Sequence, residues 1–263
     1  MKYINWTMDH DFWITSHSNG FILVVLIGNA RAAKRFSSNR KRINRMSLQD
    51  EMQTLMGELG NKVPAEMMDK VGAFIGRMAE DGIEKNARKV GDTAPGFSLR
   101  NTSGDTVALD GLLAKGPVVV VFYRGEWCPF CDLELRAYQK ALPEIEAEGA
   151  VLVAISPQSP EKSRSTVESR GLGFDVLSDP GGLVAGTFGL TFSMNDAEQE
   201  LHKAFGADLP TINGSSDWDL PVPATFVIAR NGRITWAYAN SNYTNRAEPA
   251  DVIQALSSLR STH

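Results

Sequence analysis

The chain is poor in cysteine and histidine and has no long apolar run, and each scarcity removes a class of protein. Its two cysteines fall inside one four-residue window, which excludes a disulfide-stapled secreted scaffold and leaves redox chemistry or a chance, inert pair. The four histidines, His10, His17, His202 and His263, form no HxxxH spacing, and no second CxxC exists, so a four-ligand zinc site lacks donors. No metal or other cofactor is expected. The longest apolar stretch, residues 21–27, is far shorter than the ~20 residues that cross a bilayer, so no membrane span is expected and a cytoplasmic protein is.

Acidic residues are also missing locally, since none occurs between positions 12 and 49. Residues 1–45 carry eight Lys/Arg against two Asp/Glu, whereas the remainder carries 19 against 29. The basic segment reads as a disordered N-terminal extension or an upstream lengthening of the reading frame ahead of Met46, with a targeting peptide or an anionic partner as alternatives. The acidic balance after it argues against a nucleic-acid partner.

Beyond Met46, Ser47-Leu48-Gln49-Asp50 has the pattern of a capping box, and Leu48, Met52, Leu55, Met56 and Leu59 recur at helical spacing. A first helix is predicted near 47–60, ended by Gly60-Asn61. A second, with Pro64 as its first residue, carries Met67, Val71, Phe74, Ile75 and Met78 to about Gly82. Together they make a helical hairpin over 46–87, holding six of the nine methionines, a density that suits packing on the main domain. A homodimer through this hairpin is the alternative.

A boundary is placed near 88, and residues 88–261 read as one α/β domain. A hairpin near 97–109 precedes the apolar run 118–123, which has the character of a strand buried on both faces of a parallel sheet. A helix with Pro143 as a kink, a strand at 150–155, a helix at 161–169, a strand at 174–177 and helices at 183–188 and 196–205 continue the alternation. The polar stretch 213–219 is placed on the surface, with Trp218 as loop packing or the lining of a groove, and His202 reads as an ordinary helix residue. Strands at 224–229 and 234–239 flank Asn231-Gly232, and a helix at 249–259 closes the domain.

Trp127-Cys128-Pro129-Phe130-Cys131 follows the 118–123 strand. If a helix opens there, Cys128 sits at its N-terminus, Pro129 takes the first helical position, and Cys131 lies one turn inside. Unpaired N–H groups and the helix dipole favour a thiolate at Cys128, by about one pK unit or ~1.4 kcal/mol. Arg124 would add to this by turning toward the sulfur, and Glu126 would oppose it. A thiolate attacks a disulfide sulfur or a peroxide oxygen, and Cys131 is placed to resolve the sulfenic acid that the second reaction yields.

Four segments carry a family resemblance. They are Val90-Gly91-Asp92-Thr93-Ala94-Pro95-Gly96-Phe97, then 122–131 (Phe-Tyr-Arg-Gly-Glu-Trp-Cys-Pro-Phe-Cys), Ala154-Ile155-Ser156-Pro157-Gln158, and 222–228 (Val-Pro-Ala-Thr-Phe-Val-Ile). On these residues the chain resembles the peroxiredoxin-like branch of the alkyl hydroperoxide reductase and thiol-specific antioxidant family, within the thioredoxin superfamily. The resemblance implies a thioredoxin-like fold with a central mixed sheet flanked by helices. It also implies a thiol-dependent peroxidase acting on hydrogen peroxide or organic hydroperoxides, with Cys128 peroxidatic and a thioredoxin- or glutaredoxin-type reductant. Arg124 joins the two cysteines as a catalytic candidate; Trp127, Pro129, Ser156, Pro223 and Thr225 are supporting candidates, with Pro223 aligned to the cis-proline of thioredoxins. The family commonly places a proline, a threonine or serine, and an arginine where this chain has Val121, Gly125 and Pro223. Cys-Pro-Phe-Cys also resembles a glutaredoxin site, which keeps thiol–disulfide exchange open, and a non-catalytic redox-sensing or binding module is the third reading.

Overall fold

The computed structural model describes residues 13–16, 22–25 and 47–260. In the first unit β1 (Trp13–Ser16) and β2 (Ile22–Val25) pair antiparallel, although no element was expected there. The rest of the extension, and with it the expectation of disorder, lies outside the described residues.

The second unit opens on the hairpin. In α1 (Leu48–Lys62) Ser47 accepts from the Asp50 N–H and Asp50 accepts from the Ser47 N–H, completing the capping box. The helix runs through Gly60-Asn61 rather than stopping there. Pro64 is the N-cap of α2 (Ala65–Asp81), not its first residue, and Gly82 closes that helix in the left-handed conformation. Met52 and Met78 are fully buried in the clusters through which these helices pack on the main body.

A hairpin of β3 (Ser98–Asn101) and β4 (Thr106–Ala108) leads into the short α3 (Leu109–Leu113). There follow β5 (Val118–Phe122), α4 (Pro129–Ala147), β6 (Val151–Ser156), α5 (Pro160–Arg170), β7 (Asp175–Ser178) and α6 (Leu183–Thr187). Pro143 lies within α4, which continues to Ala147. Then come β8 (Thr191–Ser193), α7 (Asp196–Ala204), α8 (Leu209–Asn213), β9 (Asp219–Pro221), β10 (Ala224–Ile228), β11 (Ile234–Ala239) and α9 (Pro249–Arg260).

The main sheet has the order β11-β10-β5-β6-β7-β3-β4. Its centre, β5, β6 and β7, is parallel, while β10 and β3 run antiparallel to their neighbours. Central strands buried on both faces need apolar side chains at every position, which is why 118–122 reads as an unbroken run. Val119, Val121 and Tyr123 face the layer of α4, α9 and α1, whereas Val118, Val120 and Phe122 pack with Phe188 and Phe226 on the other side.

Two details depart from expectation. Strand β8 pairs with β9 in a separate two-stranded ladder, and Asn213, expected on the surface, is buried at the end of α8. No peptide bond among the described residues is cis, so the Val222–Pro223 bond is trans.

The stability of this core has a direct test. Phe226 is fully buried against Phe122 and Phe188, with ring centroids 6.1 and 5.1 Å away. Phe226→Ala is expected to lower the free energy of urea unfolding by about 3–5 kcal/mol. A loss below about 1 kcal/mol would contradict this packing.

Candidate active site

Strand β5 ends against a turn, Tyr123 to Trp127, that delivers the chain to the first residue of α4. Cys128 is the N-cap with φ −90° and ψ 111°, and Pro129 follows it at the start of the helix, where a missing N–H costs nothing. Its N–H closes the turn onto the Gly125 carbonyl at 3.2 Å, and its own carbonyl takes the first helical bond from Asp132 N–H at 3.1 Å. Both cysteines are reduced and essentially inaccessible, Cys128 at 1% exposure.

Arg124 turns toward the sulfur, with Nη1 4.0 Å from Cys128 Sγ. Its guanidinium is buried, and three aromatic rings from separate parts of the chain surround it: Tyr243 at 4.1 Å, Trp127 at 4.7 Å and Phe74 of α2 at 5.8 Å from its centre. Such faces carry negative charge density and partly replace lost hydration. Nη2 meets His202 Nε2 at 2.7 Å, while His202 Nδ1 lies 2.8 Å from the Glu198 carbonyl. A guanidinium only donates, so Nε2 accepts and Nδ1 carries the proton. Burial and the Arg124 charge lower the His202 pKa to about 4, which keeps the ring neutral at physiological pH.

Cys131 lies deeper, at 0% exposure. The Arg124 N–H donates to its sulfur at 3.4 Å, and Arg246 Nη2 does the same at 3.4 Å. Arg246 is ion-paired with Glu134, Nε to Oε2 at 2.8 Å, with both side chains 1% exposed. Burial raises the Glu134 pKa to about 7 despite that partner.

The two thiols are driven apart in acidity. Burial pushes Cys128 up, but the Cys131 thiol, the guanidiniums of Arg124 and Arg246 and the Cys131 N–H outweigh it, leaving a pKa lowered to about 6. Burial and the adjacent Cys128 push Cys131 well above the ordinary thiol value. Neighbouring groups whose pKa values diverge can divide the chemical labour, and here Cys128 is the more acidic thiol while Cys131 holds its proton more tightly.

Of the residues singled out from sequence, Arg124, Trp127, Cys128 and Pro129 line one cavity of about 180 Å³, and Cys131 does not reach it. Its apolar wall includes Met56, Leu59, Val71, Phe74, Phe130 and Phe205. Ser156 and Thr225 take up other partners: Ser156 Oγ accepts from the Gln158 N–H at 3.4 Å, and Thr225 Oγ1 accepts from Tyr138 Oη at 3.3 Å. Pro223 is buried just ahead of β10. Glu126 points away from the sulfurs, pairing with Lys162 at 3.0 Å. Gly125 has φ +154°, and a Cβ there would collide with the Trp127 indole and lie 3.0 Å from Gln158 Oε1, so a threonine at this position has no room.

Sequence reasoning missed His202, Glu134, Arg246 and Tyr243. They reach the site from α7, α4 and the loop between β11 and α9, and no local motif marks them.

Comparison with known proteins decides the family. Residues 90–237 match the model of the AhpC/TSA family. The chain belongs to that family. A bcp-type peroxiredoxin of Haemophilus influenzae is 33% identical over 105 residues, covering 40% of this chain and 67% of that protein. The chloroplastic peroxiredoxin Q of Sedum lineare is 27% identical over 170 residues, 65% of this chain and 78% of its own. Among solved structures, the peroxidoxin BcpB of Mycobacterium tuberculosis is 26% identical with a TM-score of 0.50, covering 66% of this chain and 98% of that one. The chain is therefore a peroxiredoxin-like oxidoreductase of the thioredoxin superfamily, a thiol-dependent peroxidase. No helix among the described residues is long and apolar enough to cross a membrane.

The acidity of Cys128 is open to measurement. Thiolate absorbance near 240 nm should rise with pH through a midpoint near 6, because the thiol ionises as pH increases past its lowered pKa. In Arg124→Met the midpoint should move up toward the ordinary thiol value, with ~1.4 kcal/mol of lost charge stabilisation for each unit. An unshifted midpoint would show that Arg124 does not act on the sulfur.

Proposed function

We propose that Cys128 is the peroxidatic cysteine and Cys131 the resolving one, and that Arg124 stabilises the charge that develops as the peroxide bond breaks. The observation that carries this reading is the buried guanidinium standing against the sulfur at the start of α4. The Cys128 thiolate attacks a peroxide oxygen, so an S–O bond forms and the O–O bond breaks, and the departing hydroxide or alkoxide takes up a proton. Among the described residues Arg124 Nε has no hydrogen-bond partner, which leaves it to donate to a bound peroxide oxygen. It supplies a donor where the family's threonine and arginine are replaced by Gly125 and Pro223.

The sulfenic acid on Cys128 then condenses with the Cys131 thiol, releasing water and forming a disulfide. A dithiol reductant of thioredoxin or glutaredoxin type resets the pair. Hydrogen peroxide and organic hydroperoxides both fit the chemistry, and the cavity that Cys128 lines has room for a small-molecule oxidant. Thiol–disulfide exchange would draw on the same split in acidity but has no use for that cavity.

Mass spectrometry after one equivalent of peroxide separates the roles. Cys131→Ser should retain an added oxygen on Cys128, trapped with a sulfenic-acid reagent, whereas the native pair should lose two hydrogens as a disulfide. Cys128→Ser should do neither. Oxygen appearing first on Cys131 would reverse the assignment.

A further inference from the structure

Arg246 adds to the charge that lowers the Cys128 pKa, behind Arg124, but the sulfur it touches is Cys131, and the core bears the cost of burying the Glu134–Arg246 pair. Burying two charges forfeits their hydration, and an apolar pair of similar volume would pack as well or better. Every polar atom of the Arg246 guanidinium has a fixed partner. Nε donates to Glu134 at 2.8 Å, Nη1 to the carbonyls of Tyr243 and Asn245, and Nη2 is aimed at Cys131 Sγ from 3.4 Å. A neutral thiol is a weak acceptor, whereas a thiolate makes a charge-assisted bond. The set of hydrogen bonds is therefore strongest when Cys131 carries charge.

The loop bearing Arg246 is also anchored from outside. Glu248 accepts from the Leu48 and Gln49 N–H groups at the start of α1, at 3.0 and 2.8 Å, and Asn245 accepts from Gln49 Nε2 at 3.0 Å. Ser241 bonds to Glu84 just beyond α2. The helical hairpin thus fixes the loop that presents the guanidinium.

We propose that Arg246 is a catalytic residue of the second half of the cycle, stabilising the Cys131 thiolate as it attacks oxidised Cys128 and as it departs when the disulfide is reduced. Glu134 is the positioning residue that orients the guanidinium. The proposal rests on Cys131 being the resolving thiol. In resolution the Cys131 sulfur displaces hydroxide from Cys128: the S–S bond forms, the S–O bond breaks, and the Cys131 proton leaves with the hydroxide as water. In reduction an incoming thiolate attacks Cys128 Sγ, the S–S bond breaks, and its electron pair stays on Cys131 beside Arg246.

Charge orders the two halves. While Cys128 is a thiolate, the neighbouring negative charge and burial keep the proton on Cys131, where it donates to Cys128. Oxygen transfer removes that negative charge, and Cys131 is left facing Arg246 with no competing anion on its partner sulfur.

The test is the double variant Glu134→Gln/Arg246→Met, which removes the pair without stranding a buried charge. Stopped-flow fluorescence of the reduced protein with hydrogen peroxide resolves a peroxide-dependent phase, oxidation of Cys128, and a peroxide-independent one, resolution. The second phase is expected to slow at least tenfold more than the first, with Arg246→Lys recovering part of the loss. In a Cys128→Ser background, the pH midpoint of Cys131 alkylation by iodoacetamide should rise by about one unit when the pair is removed, a tenfold change in acidity. Equal slowing of both phases, or an unmoved alkylation midpoint, would overturn the proposal. A native protein with no peroxide-dependent phase would instead sink the peroxidatic assignment of Cys128, while the alkylation arm would still decide whether Arg246 acts on Cys131.

Discussion

A guanidinium held out of water beside a sulfur is the constraint that shapes this site. Arg124 is 2% exposed, and a buried cation survives only where its surroundings replace the lost hydration. Three ring faces and a neutral histidine do so here, drawn from α2, α7, the turn after β5 and the loop before α9. The hairpin therefore belongs to the site as much as to the core: Phe74 of α2 covers Arg124, and Arg77 of α2 holds Glu198, whose carbonyl orients His202. Removing any of these contacts would loosen the charge that makes Cys128 acidic.

The departures from the family pattern become intelligible in this setting. A threonine in place of Gly125 would have to share space already filled by Trp127 and Gln158. Gln158 in turn receives the Glu126 N–H and donates to Tyr123 and Thr166, so the turn after β5 is braced from beneath by a buried amide. Where the family commonly has a hydroxyl and an arginine, this chain has a guanidinium four residues before Cys128, and a second one meets the Cys131 sulfur.

Much of this was legible in the residues. The unbroken run at 118–122, the capping box at Ser47 and the Pro129 helix start each arise from local rules, and so the central strand, the first helix and the placement of Cys128 were all foreseeable. What stayed hidden depends on contacts far apart in sequence. His202 has the spacing of an ordinary helix residue, and only the approach of α7 to the turn after β5 makes it a partner of Arg124. Arg246 sits in a loop with no motif, 115 positions from the thiol it meets. The pairing of β8 with β9 and the burial of Asn213 were missed because three-residue strands and a five-residue helix leave too little periodicity to register.

The central claim is that this environment makes Cys128 an activated nucleophile toward peroxides. Its most direct test is the second-order rate constant for oxidation of the reduced protein at neutral pH, compared with free cysteine under the same conditions. A rate linear in peroxide, abolished in Cys128→Ser and well above that of the free thiol is the result this account requires. Oxidation no faster than free cysteine would contradict it, because a lowered pKa without transition-state stabilisation would then be all that the buried arginine provides.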